Sequence, residues 1–164
     1  MDYSEMLRLT APERVGTLQP HSIESKRAME RFQDFMRDLK PDQVRAQACD
    51  VYGPEAILYD TLATKVGNEN IRDYFAKTAQ KAEAVRVDFQ EVITNGHDHY
   101  VRWEMAITWK LFRRHTTRSV GMSQVRFGGD GRVALHYDFW DSGSHFYAQI
   151  PGLGGLIRLI QKQA

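Results

Sequence analysis

The fold is decided by residues 85–109, VRVDFQEVITNGHDHYVRWEMAITW. Val85, Val87 and Phe89 alternate with Arg86, Asp88 and Gln90. Val101, Trp103, Met105, Ile107 and Trp109 alternate with Tyr100, Arg102, Glu104, Ala106 and Thr108. A period of two marks a half-buried strand, and Asn95-Gly96 between the runs is a strong hairpin signal. The segment therefore predicts two antiparallel strands sharing one apolar face. Burying Val101, Trp103, Met105 and Ile107 removes the most apolar surface from water, so Arg102 and Glu104 point the other way.

Beyond this hairpin, a basic bend at Arg113-Arg114-His115 leads into a strand ending at Phe127. Gly128-Gly129-Asp130-Gly131 is a second hairpin loop, and Arg132 to Trp140 is the last strand. Ile150-Pro151-Gly152 precedes the apolar Leu156, Ile157, Leu159 and Ile160, so residues 149–164 read as a C-terminal amphipathic helix. Before the hairpin the period is helical. Ser22 is an N-cap, and Ile23, Met29, Phe32, Phe35, Met36 and Leu39 recur at helical spacing. Pro41 stops that helix and suits the first turn of another, running to about Cys49. Gly53-Pro54 reads as a break, and Ala56 to Thr61 as a short strand. Gly67-Asn68 opens a third helix marked by Ile71, Phe75, Ala79 and Ala82. Residues 1–20 show no sustained period and read as an arm or short helix ordered by a partner. Helices first and a meander later mean an α+β domain over residues 21–148, with helices packed on one face of a curved antiparallel sheet. The opposite face, with Arg102, Glu104 and Thr108, is too mixed for plain solvent surface. Its expected partner is a second copy of the chain, giving a homodimer.

Composition narrows the function. The chain has 164 residues, of which 42% are hydrophobic and 26% charged, as in an ordinary globular domain. A formal charge of +1 supplies no field to gather nucleic acid or an anionic membrane. No apolar run reaches the length of a membrane span. Asp2, Glu5 and Arg8 leave no signal-peptide core, so the expected location is cytoplasmic. Cys49 is the single cysteine, which excludes an internal disulfide. The histidines show no HExxH and no compact ligand set, so no metal or other cofactor is expected.

The chain resembles the nuclear transport factor two-like superfamily, which includes ketosteroid isomerases, limonene epoxide hydrolase and the SnoaL-like polyketide cyclases. The resemblance covers about residues 22–148. It rests on Tyr52-Gly-Pro-Glu-Ala-Ile-Leu-Tyr-Asp60, on Gly67 and Ile71 to Phe75, on Arg126-Phe-Gly-Gly-Asp-Gly-Arg-Val133 and on His136-Tyr-Asp-Phe-Trp-Asp141. It implies a cone-shaped, cystatin-like roll around an apolar pocket that takes a small apolar molecule. It also implies where chemistry sits. Asp60 falls where ketosteroid isomerases place their general base, Phe32 where they place a donating Tyr, and Ser123 where they place a protonated Asp. The base position is kept, Phe32 donates nothing, and Ser123 retains a weak donor. Limonene epoxide hydrolase carries Arg-x-Asp on one strand, which Arg102-Trp103-Glu104 resembles, but alternation turns Arg102 and Glu104 away from the pocket. The cyclases carry His-Trp-Asp on the last strand with the Asp as acid/base, and His136-Tyr137-Asp138 matches it.

Asp138 and His136 share strand parity with Trp140, so all three face one side. Ionisable groups on a core-facing strand carry a desolvation cost that a purely structural strand avoids. The bland alternative is a buried pair tying strand to helix, and for Asp60 a turn-capping carboxylate. Asp138, Asp60 and His136 are the expected catalytic set. Trp140, Trp103, Met105, Ser123, Phe32 and Phe75 are the expected pocket wall. Two carboxylates in one apolar cavity would repel, so one should hold a proton near neutrality and supply an acid and a base together. The expected chemistry is cofactor-free isomerisation, cyclisation or dehydration of a small carbonyl compound. The other class is a non-catalytic ligand-binding, accessory or assembly protein of the same fold.

Overall fold

The computed structural model describes residues 1–110 and 116–145. The expected basic bend at 113–115 and C-terminal helix at 149–164 lie outside the described residues. Along the chain run α1 (Tyr3–Leu9), α2 (Pro12–Val15), α3 (Ile23–Arg37), α4 (Pro41–Val51), β1 (Tyr52–Tyr59), β2 (Thr64–Val66), α5 (Asn68–Lys81), β3 (Ala82–Asn95), β4 (Asp98–Trp109), β5 (Thr116–Phe127), β6 (Val133–Trp140) and α6 (Ser142–His145). One six-stranded sheet has the order β2-β1-β6-β5-β4-β3. The fold is α+β, with helices packed on a curved, unclosed sheet.

Local chemistry sets the helix ends. The Ser22 side chain accepts from the Ser25 amide at 3.1 Å and opens α3. Pro41 occupies the first turn of α4, where its missing N–H costs nothing. Gly67, at φ 87°, turns the chain into α5. Phe32, Phe35 and Met36 of α3, Val44 and Ala48 of α4, and Ile71 and Phe75 of α5 bury one face of each helix. They meet Val85, Val101 and Val125 from the sheet in one core.

The sheet keeps the expected parity. Val101 and Trp103 are buried, while Arg102 and Glu104 are exposed. Three details differ from the sequence reading. Gly53-Pro54 does not interrupt the chain but lies inside β1, which slips register against β6 between Tyr52 and Ile57. A bulge tolerates Pro because the residue there has no ladder bond to donate. β2 has three residues, too few to display a period. β1 also runs parallel to β6, the one parallel pairing among the described strands.

Residues 1–20 pack against the sheet of their own chain. Asp2 caps α1 by accepting from the Glu5 amide at 2.8 Å. Met6, 1% exposed, inserts against Ile57 and Leu135 on the outer face of the sheet. Tyr3 donates to Gln124 Oε1 at 2.7 Å. Arg126 donates to Asp98 through Nε and Nη2, at 2.8 and 2.9 Å, and through Nη1 to the Thr10 carbonyl at 2.7 Å. The burial pattern records this cover. Residues 123–127 of β5 and 133–136 of β6 are buried on both faces, and alternation resumes beyond them. Met6→Ala should cost about 2–5 kcal/mol, as for other buried methionines. Urea unfolding measures it, and an unchanged midpoint would show that the arm is not docked in solution.

Candidate functional site

The site grows from one line of neighbours across β4, β5 and β6. Trp103 lies opposite Gly121, and Gly121 opposite Trp140; Val101 lies opposite Ser123, and Ser123 opposite Asp138. A Cβ on Gly121 would stand 2.4 and 2.5 Å from two carbons of the Trp103 ring. Glycine is therefore required for the indole to lie across β5 and reach Ser123. The Trp103 indole donates to Ser123 Oγ at 2.8 Å. An indole N–H only donates, so Ser123 accepts there and gives its own proton to Asp138 Oδ1.

His136 is 1% exposed and has partners at both ring nitrogens. Nε2 lies 2.9 Å from Asp138 Oδ1, and Nδ1 lies 2.9 Å from the Tyr52 hydroxyl. Burial pushes the Tyr52 phenol well above its ordinary range, with the charge of Asp138 adding to it, so Tyr52 keeps its proton. A carboxylate only accepts, so Nε2–H donates to Asp138, while the Tyr52 hydroxyl stands between Nδ1 and the Met36 sulfur, which it meets at 3.8 Å. Phe32 sets its ring edge-on to the imidazole at 5.0 Å. No hydrogen bond to Asp138 Oδ2 is formed among the described residues, and the Asp138 side chain is 14% exposed.

Asp60 closes β1 in a different setting. Its Oδ1 accepts from the amides of Leu62 and Ala63 at 3.0 and 2.8 Å, and its Oδ2 accepts from the Tyr74 hydroxyl. The Trp140 indole donates to the Asp60 carbonyl at 2.8 Å and ties the end of β6 to this turn. The turn-capping use of Asp60 is thus realised, and both carboxylate oxygens are engaged. Burial nevertheless raises its pKa above the ordinary range, Asp138 adds to the rise, and the Tyr74 and amide bonds oppose it.

Among the expected wall residues, Trp103, Ser123 and Phe32 converge on the His136–Asp138 pair, and Trp140 joins the pair's strand to Asp60. Met105 is half-buried on the same face of β4 as Trp103. Phe75 packs on the helix side, 6.2 Å from Phe35 and 5.9 Å from Tyr52. Arg102 turns outward to Glu91 at 3.7 Å. The sequence reading missed Tyr52 and Tyr74 as polar partners. Tyr52 stands at the head of the stretch that carried the family resemblance, yet nothing local marks its hydroxyl as facing an imidazole 84 positions away. Among the described residues no group of three or more His, Cys, Asp or Glu is arranged to hold a metal ion, and no helix is long and apolar enough to cross a membrane.

A family model for the SnoaL-like domain matches residues 29–136. The chain belongs to the SnoaL-like domain family. No curated protein sequence matches it. An LEH-like epoxide hydrolase of M. tuberculosis superposes with a TM-score of 0.63 at 15% identity, over 87% of this chain and 99% of that one. A protein with a ketosteroid isomerase-like fold from Catenulispora acidiphila, in complex with trimethylamine, gives 0.62 at 16%, over 80% and 93%. A SnoaL-like polyketide cyclase candidate from Shewanella putrefaciens gives 0.62 at 12%, over 74% and 92%. At such identities the likeness shows the fold, which in this SnoaL-like chain places His136 and Asp138 on the inner face of the last strand.

The raised pKa of Asp60 has a definite sign. A carboxyl that holds its proton more tightly when folded contributes stability below its unfolded pKa, and that contribution is lost as pH rises through the folded value. Asp60→Asn keeps an acceptor for the Leu62 and Ala63 amides and cannot ionise. Relative to the unsubstituted protein, this variant should therefore gain stability as pH rises from about 3 to about 7. Melting curves across that range measure it, and a gap that stays constant or moves the other way would contradict the assignment.

Proposed function

We propose that this SnoaL-like domain binds a small, mostly apolar molecule against the inner face of β6, and that Asp138 is its acid/base group. The observation that carries the reading is the asymmetry of the carboxylate. Oδ1 is fixed by His136 and Ser123, while Oδ2 has no hydrogen bond among the described residues. A base must be rigidly aimed and still have a lone pair to use, and this arrangement supplies both. Trp103 and Ser123 hold the carboxylate from one side, and His136 holds it from the other. Asp60 is the second carboxylate, and its raised pKa favours a proton-holding partner to Asp138.

The reaction class that fits is cofactor-free proton transfer next to a carbonyl: isomerisation, cyclisation or dehydration. Asp138 takes a proton from carbon and returns it to another atom of the same molecule. Ser123 directs its proton to Asp138 and Phe32 has none, so neither position carried over from the isomerases donates to an oxyanion. The substrate is then one whose C–H is acidified by the molecule itself, through a flanking aromatic ring or a second carbonyl. The same shortage of donors favours the second reading, a non-catalytic ligand-binding or accessory domain. Native mass spectrometry of protein from its own host should reveal a retained small molecule, and Asp138→Asn separates the two readings. For an acid/base group the variant loses turnover and keeps ligand affinity within about tenfold. A folded Asp138→Asn protein with full activity would end the acid/base reading.

We also propose a homodimer through the part of the outer sheet face that α1 leaves open. Val120, Met122 and Phe139 are exposed there, at 56%, 39% and 41%. Met122 lies opposite Arg102, and Val120 opposite Glu104. Apolar side chains beside charges of both signs suit a twofold contact in which Arg102 of one copy meets Glu104 of the other. Sedimentation at micromolar concentration should give a dimer, and a monomer there would refute it.

A further inference from the structure

The loop after β1 contains a residue that neither the fold nor the network around Asp138 accounts for. Thr61 has φ 68°, in the left-handed region that β-branched residues rarely enter. Its Oγ1 is buried and has no hydrogen-bond partner, the one such side-chain atom found among the described residues. Both features are unfavourable, since the conformation is strained and an unpaired buried hydroxyl loses its hydration without return. The surroundings hold the strain in place. Asp60 Oδ1 bonds the amides of Leu62 and Ala63, and the Asp60 amide donates to the Ala63 carbonyl at 3.2 Å, so the turn is closed on both sides of Thr61. The Trp140 indole then pins the Asp60 carbonyl from β6.

The hydroxyls and indoles around Asp138 and Asp60 are otherwise committed. Trp103 donates to Ser123, Ser123 to Asp138, Tyr74 to Asp60 and Trp140 to the Asp60 carbonyl, and the Tyr52 hydroxyl has both His136 Nδ1 and the Met36 sulfur as partners. Thr61 alone in this set has a proton with no acceptor. We infer that Thr61 is a ligand-contacting residue whose hydroxyl donates a hydrogen bond to an oxygen of the bound molecule, next to the Asp60–Trp140 junction. The ligand class is thereby narrowed to apolar molecules bearing a carbonyl or other oxygen acceptor. This inference rests on the reading of Asp138 as the acid/base group, for which Thr61 would supply the donor that Phe32 and Ser123 do not.

Thr61→Val tests it, because valine keeps the shape and the backbone strain and removes only the hydroxyl. The probes are 2-tetralone, a small apolar ketone, and tetralin, its counterpart without the oxygen, with binding followed by NMR titration. Thr61→Val should melt higher than the unsubstituted protein, by a few degrees. It should also bind 2-tetralone about two- to tenfold more weakly, with tetralin binding unchanged. Thr61→Ser, which retains the hydroxyl, should keep the preference for the ketone. Equal affinity of Thr61→Val and the unsubstituted protein for 2-tetralone would overturn the inference and leave Asp138 untouched. A lower melting temperature for Thr61→Val would also overturn it, because the hydroxyl would then have a structural partner in solution. An unsubstituted protein that binds tetralin as tightly as 2-tetralone would likewise overturn it, and the reading of Asp138 stands or falls separately, on the turnover of Asp138→Asn.

Discussion

Three consecutive antiparallel strands, β4, β5 and β6, share one pleat, and the placement of every inward side chain follows from it. Once Val101 and Trp103 face the helices, the cross-strand register puts Ser123, Gly121, Asp138 and Trp140 on the same side. A slip of one residue would send this whole set to the outer face and bring Arg102 and Glu104 in. The apolar content of β4 therefore does more than stabilise the sheet. It decides which polar groups of β5 and β6 are buried, and burial forces those groups to find each other.

His136 shows the consequence. A buried imidazole with an unpaired nitrogen costs about 1–3 kcal/mol, so both nitrogens need partners. One partner comes from its own strand two residues on, and the other from the start of β1. Tyr52 can serve because its ring already belongs to the helix-side core, 6.0 Å from Phe35 and 5.9 Å from Phe75. Core packing holds the hydroxyl, the hydroxyl orients the imidazole, and the imidazole aims the carboxylate. Asp60 reaches the same region by another route, a turn whose amides it caps itself. Two carboxylates thus stand in contrasting environments, one bonded by a histidine and a serine and the other by a tyrosine and two backbone amides. Such contrast is the usual basis for dividing acid and base roles.

The outer face of the sheet is divided in two. Over β1 and β6 the arm supplies Met6 and Tyr3, with Tyr3 meeting Tyr137 edge-on at 4.8 Å. Over β4 and β5 the face remains open, with Arg102 and Glu104 among exposed apolar side chains. The arm is anchored where Arg126, only 7% exposed, satisfies both Asp98 and the Thr10 carbonyl. A guanidinium in that position is tolerated because its fork is filled, which couples the order of the first ten residues to the sheet.

Local sequence settled whatever depends on near neighbours. The two-residue period of β3 and β4, the Asn95-Gly96 turn, the Ser22 cap and the prolines at helix starts are short-range chemistry, and they gave the α+β class, the element order and the inward parity of Trp103, His136 and Asp138. The spacing within Tyr52 to Asp60 is legible only as a resemblance, and the break read at Gly53-Pro54 is a register slip inside β1, because a bulge looks like a loop in one dimension. Partnerships were decided by tertiary structure alone. Tyr52 and His136 are 84 positions apart, Tyr3 and Gln124 are 121 apart, and no local pattern reports which hydroxyl will meet which nitrogen or amide. The same holds for the strained backbone and unpaired hydroxyl of Thr61. A threonine after an aspartate is ordinary in sequence, and it becomes unusual only when the closed turn fixes its φ and the surrounding fold takes its hydroxyl out of water.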